Sequence, residues 1–574
     1  MADKKQEGAE VYWGRIQVAQ RFSKKWHDKI KPWNDLWTGR FKPDNVDEDN
    51  KISVNYTYST IKNKVSRLFY QNPKIIVEAQ NGKNPEEQQS AKVAQSVVNW
   101  QMNWKQYRIR EHLKKALYDW KITSMGFVFT GWNTILEKDK DGVVSEILKD
   151  QPDIRRIHPK KVHLPPSFTQ DEIPYIVLET QEKYLKVKNE SKYNKEVRDN
   201  LEAKEYVSIE DRMGDDGTLK VKETDDMALQ TLYHYYDDEK WVIFAKGNNE
   251  TPLYEGKNPY AEVFGPDNPL PIVVIFGDLD LESEIPLCEI ELIKPQQIEL
   301  NKIRAQQINH RKRFNRQTLY DMDMIGESEL DKLKDPADGT LIGIHREQNR
   351  PLAESIYQVP EGKLSYPFDI EPYIKEDINV ITGMNQIAIT GKSGNKTLGQ
   401  DEMAEGSTED RLSEEKASVE DFIEEIYRRL LQLDQAFLQK EIPIKLTGDV
   451  EQSWIDATKE DIQGQLTLNV VSGSTIRETD PVVRKQATDV LNLIGEKPEY
   501  QTISPLLVAK ILETMPSMSD IAEQIKVAAD AARQAMEQVP PPMEGEFPGA
   551  TDPSMIQQGV SDNAAIRTGA ETVL

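Results

Sequence analysis

Residues 286–316 read PLCEIELIKPQQIELNKIRAQQINHRKRFNR, and this stretch decides the fold. Ile290, Ile293, Leu300 and Ile303 recur at spacings that keep them on one helical face. Pro295 marks a kink or a second start. At 1.5 Å per residue such a helix is about 45 Å long. Its second half turns basic, with Lys302, Arg304, Arg311, Lys312, Arg313 and Arg316 and no acid between Leu300 and Tyr320. The chain then makes a compact β excursion over 317–362 and returns as DIEPYIKEDINVITG, residues 369–383. Asp369 can cap that returning helix, Pro372 is tolerated in its first turn, and Gly383 ends it. Its apolar positions are Ile370, Ile374, Ile378 and Ile381.

A flexible loop follows over 383–400, marked by Gly383, Gly391, Gly394 and Gly399. Ser407-Thr-Glu-Asp410 predicts a capping-box start for a helix reaching about Lys440. From Asp401 to Glu425 there are eleven acids against Arg411 and Lys416, a local net of −9. Beyond them the stripe Val419, Phe422, Ile423, Ile426, Leu430, Leu433 and Phe437 predicts a packed half. A lone hairpin of this kind could not bury its own stripes. Two readings stay open: an α+β domain with a long hairpin, or a protomer whose hairpin packs against copies of itself in a ring.

At 574 residues the chain can hold three or four domains. A net charge of −24 excludes a general nucleic-acid binder. The single cysteine, Cys288, excludes an intramolecular disulfide framework and a cysteine-based zinc site. The seven histidines (His27, His112, His158, His163, His234, His310 and His345) make no metal-binding spacing. No apolar run is long enough to span a membrane, and MADKKQEGAE lacks the apolar core of a signal peptide. A soluble chain is expected, in a reducing cell or a particle assembled there, with no membrane contact.

In order along the chain, a helix is expected over 10–41, with Trp13, Trp26, Trp33 and Trp37 in the core or a subunit interface. Residues 52–70 suit a strand or a helix. PKIIVEA, 73–79, is a strand, and Asn84-Pro85-Glu86 opens a long helix to about Lys121. The middle third is β-rich: GFVFTGW at 126–132 with a return at 143–148, YIVLET at 175–180, a hairpin of 229–236 with 241–245, and a buried strand at 270–276. A charged surface helix is expected over 184–205. After Lys440 come strands at 442–446 and 466–471, then helices at 480–493, 504–513 and 520–539. The Pro/Gly-rich tail from Pro540 reads as disordered.

No motif asks for catalysis, and no cofactor is expected. Gly391-Lys392-Ser393 fails as a phosphate-binding loop, because GxxxxGK[ST] needs glycine at position 386, where Gln386 stands. Asp401, Glu402, Glu405, Glu409 and Asp410 lack the fixed spacing of a cation loop and suit a solvated face, so no metal is expected.

The order of parts resembles the portal (head–tail connector) proteins of tailed bacteriophages over about residues 50–540. The likeness rests on LPIVVIFGD, the helix with PQQIELNKIRAQQINHRKR, a β insert, ITGMNQ with its Gly-rich loop, the acidic-to-apolar helix, and LTLNVVSGSTIRETDPVVRKQA. It implies an α+β protomer with a β-rich wing, a helical-hairpin stem, a small α/β clip, a Gly-rich tunnel loop, a long tunnel helix and a helical crown. Residues 1–285 would be the N-terminal part of the wing, 286–316 and 363–382 the stem helices, and 317–362 the clip. Residues 383–406 would be the tunnel loop, 407–440 the tunnel helix, 441–479 returning wing strands, 480–539 the crown and 540–574 a disordered tail. The clip rests on position alone, and the chain lacks the long C-terminal coiled-coil barrel of some portals.

In that family a dodecameric ring at one capsid vertex seeds head assembly among the major capsid protein. It docks the terminase large subunit, passes double-stranded DNA non-specifically, and later receives the head–tail adaptor. The ring hydrolyses nothing. Carried to this chain, the resemblance puts Lys392 and Lys396 on the tunnel loop as transient phosphate contacts. The acids Asp401, Glu402, Glu405, Glu409 and Asp410 would face the channel and repel phosphate. The six cations of 302–316 suit the channel, neighbouring acids or the capsid. The competing readings are a virion scaffold or adaptor that does not handle DNA, and a terminase-like motor.

Overall fold

The computed structural model describes residues 8–41, 52–70, 72–73, 75–80, 84–138, 144–166, 173–201, 205–206, 228–266, 268–313, 318–320, 356–358, 370–384, 398–445 and 454–470. For 135–138, 144–148, 205–206, 309–313, 318–320, 356–358, 398–411, 444–445 and 454–455 the description is of backbone alone. All of these belong to the first of two compact units, Met1–Gln486. The fold is α+β.

Helix α1 (Ala9–Thr38) buries Tyr12, Ile16, Ala19, Trp26, Ile30, Trp33 and Leu36 at helical spacing. Gly39, at φ +73°, ends it with its N–H on Leu36 O. Helix α2 (Tyr56–Leu68) starts where the Asn55 side chain accepts from Tyr58 N, so the ambiguous stretch 52–70 is helical. Strand β1 (Ile75–Ala79) precedes α3 (Pro85–Asn103), capped by Asn84 with Pro85 in its first turn. The expected single helix to Lys121 is two. The chain breaks at 104–108, with Arg108 at φ +53°, and restarts as α4 (Ile109–Thr123).

Strands β2 (Met125–Lys138) and β3 (Val144–Ile157) form a hairpin longer than the sequence suggested. Next come β4 (Val162–His163), β5 (Tyr175–Lys183), α5 (Tyr184–Asn189), α6 (Lys195–Asp199), β6 (Glu205–Tyr206), β7 (Ala228–Asp237), β8 (Lys240–Ala245), β9 (Tyr254–Lys257) and α7 (Ala261–Phe264). They build the sheet β4-β5-β7-β8-β9, with β6 also on β7. Its centre is covered on both faces, so β7 is buried almost throughout and β8 over most of its length. Tyr233, Tyr235, Val242 and Phe244 meet the first turns of α1 on one side. Leu232, Ile243 and Ala245 meet Tyr184, Val187, Tyr193 and Val197 on the other. The charged surface helix expected over 184–205 is therefore overturned. Two short helices there bury their few apolar residues against the sheet.

Strand β10 (Ile272–Phe276) pairs with β2. Helix α8 (Glu289–Arg313) leads to β11 (Thr318–Tyr320), which pairs antiparallel with β12 (Ile356–Gln358), and α9 (Ile370–Thr382) follows. Gly383, at φ +69°, stands at the end of α9 as expected. Helix α10 (Leu398–Phe437) then runs for 40 residues. Strands β13 (Ile442–Lys445), β14 (Trp454–Ala457) and β15 (Leu466–Val470) complete the described chain, with β13 on β14 and β15 on β1. Strand β14 has no counterpart in the sequence reading.

The capping-box start at Ser407 is overturned, because α10 already runs from Leu398. The preceding DEMAE is rich in helix formers, and acids suit a helix N-terminus. A single Gly406 costs only about 1 kcal/mol against that continuation. The idea that the apolar stripes lack partners in one chain also fails. Val419, Phe422, Ile423, Ile426 and Leu430 are buried in the main core, and Phe437 stacks on Trp132. The hairpin closes on itself: Ile293, Leu300 and Ile303 of α8 pack with Ile374 and Ile378 of α9. Ile370 and Ile381, expected on that buried face, are instead 44% and 40% exposed.

Candidate functional site at the root of the helical hairpin

Five segments distant in sequence meet at the base of the α8–α9 hairpin. Lys64 of α2 lies on the face that carries Ile61, Val65 and Leu68, so it enters the core with them. Its Nζ lies 2.9 Å from Glu289 Oε1 in the first turn of α8 and 2.7 Å from Glu415 Oε1 of α10. It also donates to Thr382 O, the last residue of α9, at 2.9 Å. There the cation meets the negative end of the helix dipole. Lys121 of α4 completes the cluster, 2.6 Å from Glu415 Oε2 and 3.8 Å from Glu289 Oε2, with its ammonium over the Trp120 ring.

Two lysines and two glutamates thus share a largely water-free site. Burial alone would pull Lys64 down, but Glu289 and Glu415 outweigh it and hold Lys64 above the ordinary lysine value. Burial would raise Glu415, yet Lys121 and Lys64 hold it below the usual carboxylate range. Lys64 and Glu415 therefore stay charged near neutrality, and the cluster is an ionic joint rather than an acid–base pair. It fastens both ends of the hairpin, and α10, to the body.

Farther along α10 the packing is again polar and buried. Arg429 is 1% exposed; its Nε donates to Glu425 at 2.7 Å and its Nη1 to Leu270 O. Asp434 is fully buried and accepts from Gln101 Nε2 at 2.8 Å. Burial raises its carboxyl to about 8, despite that hydrogen bond. Glu425 also pairs with Arg428, so the acidic segment 401–425 is partly neutralised from within the same chain.

Of the site residues expected from sequence, only Lys302 and Arg304 have side chains among those described. Lys302 is exposed on α8. Arg304 is tied to Glu371 of α9 at 3.0 Å, an acid that the local sequence around it lacks. Arg311, Lys312 and Arg313 lie on the α8 backbone, and Arg316, Lys392 and Lys396 lie outside the described residues. Asp401, Glu402, Glu405, Glu409 and Asp410 lie on α10, where the backbone alone is described. Sequence reasoning missed the joint. The available signal was a lysine on an otherwise apolar helix face, at Lys64 beside Ile61 and Val65.

Among the described residues no group of three or more His, Cys, Asp or Glu could hold a metal ion. No helix among them is long and apolar enough to cross a membrane. No protein-family model matches the chain, and no curated protein matches it either.

Proposed function

We propose that this chain is the protomer of a portal ring at a capsid vertex. It is a non-enzymatic conduit for double-stranded DNA in packaging and ejection, and a nucleator of head assembly. It docks the terminase large subunit and later the head–tail adaptor. One observation carries the reading: the order α8, a small β11–β12 pair, α9 and the long α10, rooted together by one ionic joint in an α+β body. In this reading α8 and α9 are the stem, β11–β12 belongs to the clip, and α10 is the tunnel helix. The sheets form the wing.

The outer side of α9 supports assembly. Tyr373 is 70% exposed and Val380 59%, opposite the buried Ile374 and Ile378. That leaves an apolar strip for a neighbouring copy. With the first turns of α10 toward the axis, its carboxylates would repel phosphate. DNA would then meet weak contacts at Lys392 and Lys396. End-on electron microscopy of the purified full-length protein, with ATPase activity measured in parallel, tests the reading. Closed rings without hydrolysis are expected. A monodisperse monomer, or ATP turnover, overturns it.

A further inference from the structure

The turn between β10 and α8 reads DLDLESE, residues 278–284. Leu281 is 91% exposed, the most exposed large apolar side chain among the described residues, and Leu279 is 67% exposed. The turn is ordered beneath them. Leu287 N donates to Asp278 O at 2.8 Å, Glu282 N to Asp280 Oδ1 at 3.0 Å, and Ile285 N to Ser283 Oγ at 3.1 Å. The result is a preorganised apolar tip inside a collar of Asp278, Asp280, Glu282 and Glu284, a form that loses little freedom on binding.

The same chain carries a hollow of about 490 Å³ between α1, α4 and the turn at Pro159–Lys161. Its buried lining includes Ile30 and Ile122, with Trp37 half-buried. Lys31, Lys115 and Lys160 stand exposed around it, with Lys115 also 4.0 Å from Glu111 of its own helix. Its one carboxylate, Asp119, is held by Arg156 Nη2 at 2.6 Å. Burial and the neighbouring Arg156 and Lys160 charges hold His158 below the ordinary histidine value, in keeping with a positive field.

We infer that this hollow receives the Leu279–Leu281 turn of a second copy of the chain. The two patches match in kind, apolar to apolar and acidic collar to basic rim, and they are different patches of one surface. The contact is therefore head to tail, the type that closes rings. It rests on the ring reading and names where the copies meet.

The test uses full-length protein and native mass measurement. Leu281→Asp is expected to weaken subunit association roughly tenfold or more, with thermal melts of the dissociated subunit unchanged because the site is exposed. Glu282→Lys with Glu284→Lys does the same, and adding Lys31→Glu and Lys160→Glu restores assembly. A Leu281→Cys, Lys31→Cys variant gives an intersubunit ladder on oxidation. Wild-type rings that ignore Leu281→Asp and give no ladder overturn the contact while leaving the ring. A wild-type monomer overturns both.

Discussion

Asp434 has no exposed surface, and its second carboxylate oxygen has no hydrogen-bond partner. Its pKa, raised by burial to about 8, means that the folded chain holds a proton that the unfolded chain releases. Stability from this group is full below the unfolded value and is lost as pH rises through about 8. Asp434→Asn keeps the shape and the Gln101 hydrogen bond without the charge. Its advantage in melting temperature over wild type is expected to grow from about pH 5 to about pH 8. An advantage constant across that range would remove Asp434 from the account. Burial lowers His27 and His234 to about 4, so these groups work in the opposite sense. Their stability is present above the unfolded histidine value and fades as pH falls toward about 4. At Lys64 the expectation follows from desolvation. Lys64→Ala leaves Glu289 and Glu415 buried with one cation fewer, at a cost of about 3–5 kcal/mol. Adding Glu289→Gln to that variant recovers part of the loss. Urea unfolding of both variants measures the difference, and full additivity would show that the charges do not act together.

Between elements, glycine permits close backbone approach. A Cβ on Gly126 would lie 2.3 Å from Ala116 O, so α4 sits directly against the start of β2. Backbone cannot yield as a flexible side-chain end can. Gly126→Ala is expected to cost about 3 kcal/mol, or to prevent folding, as measured by chemical denaturation. Gly277 marks the same kind of contact, its added Cβ falling 2.2 Å from Leu287 O. The longer strands β1, β5, β7, β8, β10 and β15 and the tryptophan helix were legible in the sequence because alternation and helical spacing are local patterns. The hairpin order was legible from Gly383 and the isoleucine periodicity on either side of the insert. The ionic joint was not, because residues 64, 121, 289 and 415 meet only when the tertiary fold forms. The break between α3 and α4 was hidden because residues 104–108, WKQYR, contain neither Gly nor Pro. At Ser407 a good local capping signal lost to helix formers on both sides. In 184–205 the run of charge masked Val187 and Val197, which have polar neighbours in sequence but are buried in an apolar cluster.

For the whole molecule, one side of α9 folds the chain, and the other is the side that the proposed ring would use to join copies. Ile378 is fully buried between α8 and α9, while Tyr373, five residues earlier on the opposite side, is 70% exposed. Ile378→Ala removes packed methyl and methylene groups inside the hairpin and is expected to cost about 2–5 kcal/mol in unfolding of the subunit. Tyr373→Ser removes only surface that water already reaches in the single chain. Its effect on subunit stability is expected to stay within about 0.5 kcal/mol. In a ring whose neighbours pack on α9, however, the same change strips a large aromatic contact from every interface, and the mass distribution shifts to smaller species. The two readouts, denaturant unfolding of the dissociated chain and native mass of the assembly, therefore move independently for the two variants. If Tyr373→Ser left the assembly intact, the outer strip of α9 would be ordinary surface. The subunit contact would then lie elsewhere on the chain, with the acidic leucine turn and the basic hollow as the remaining pair of complementary patches.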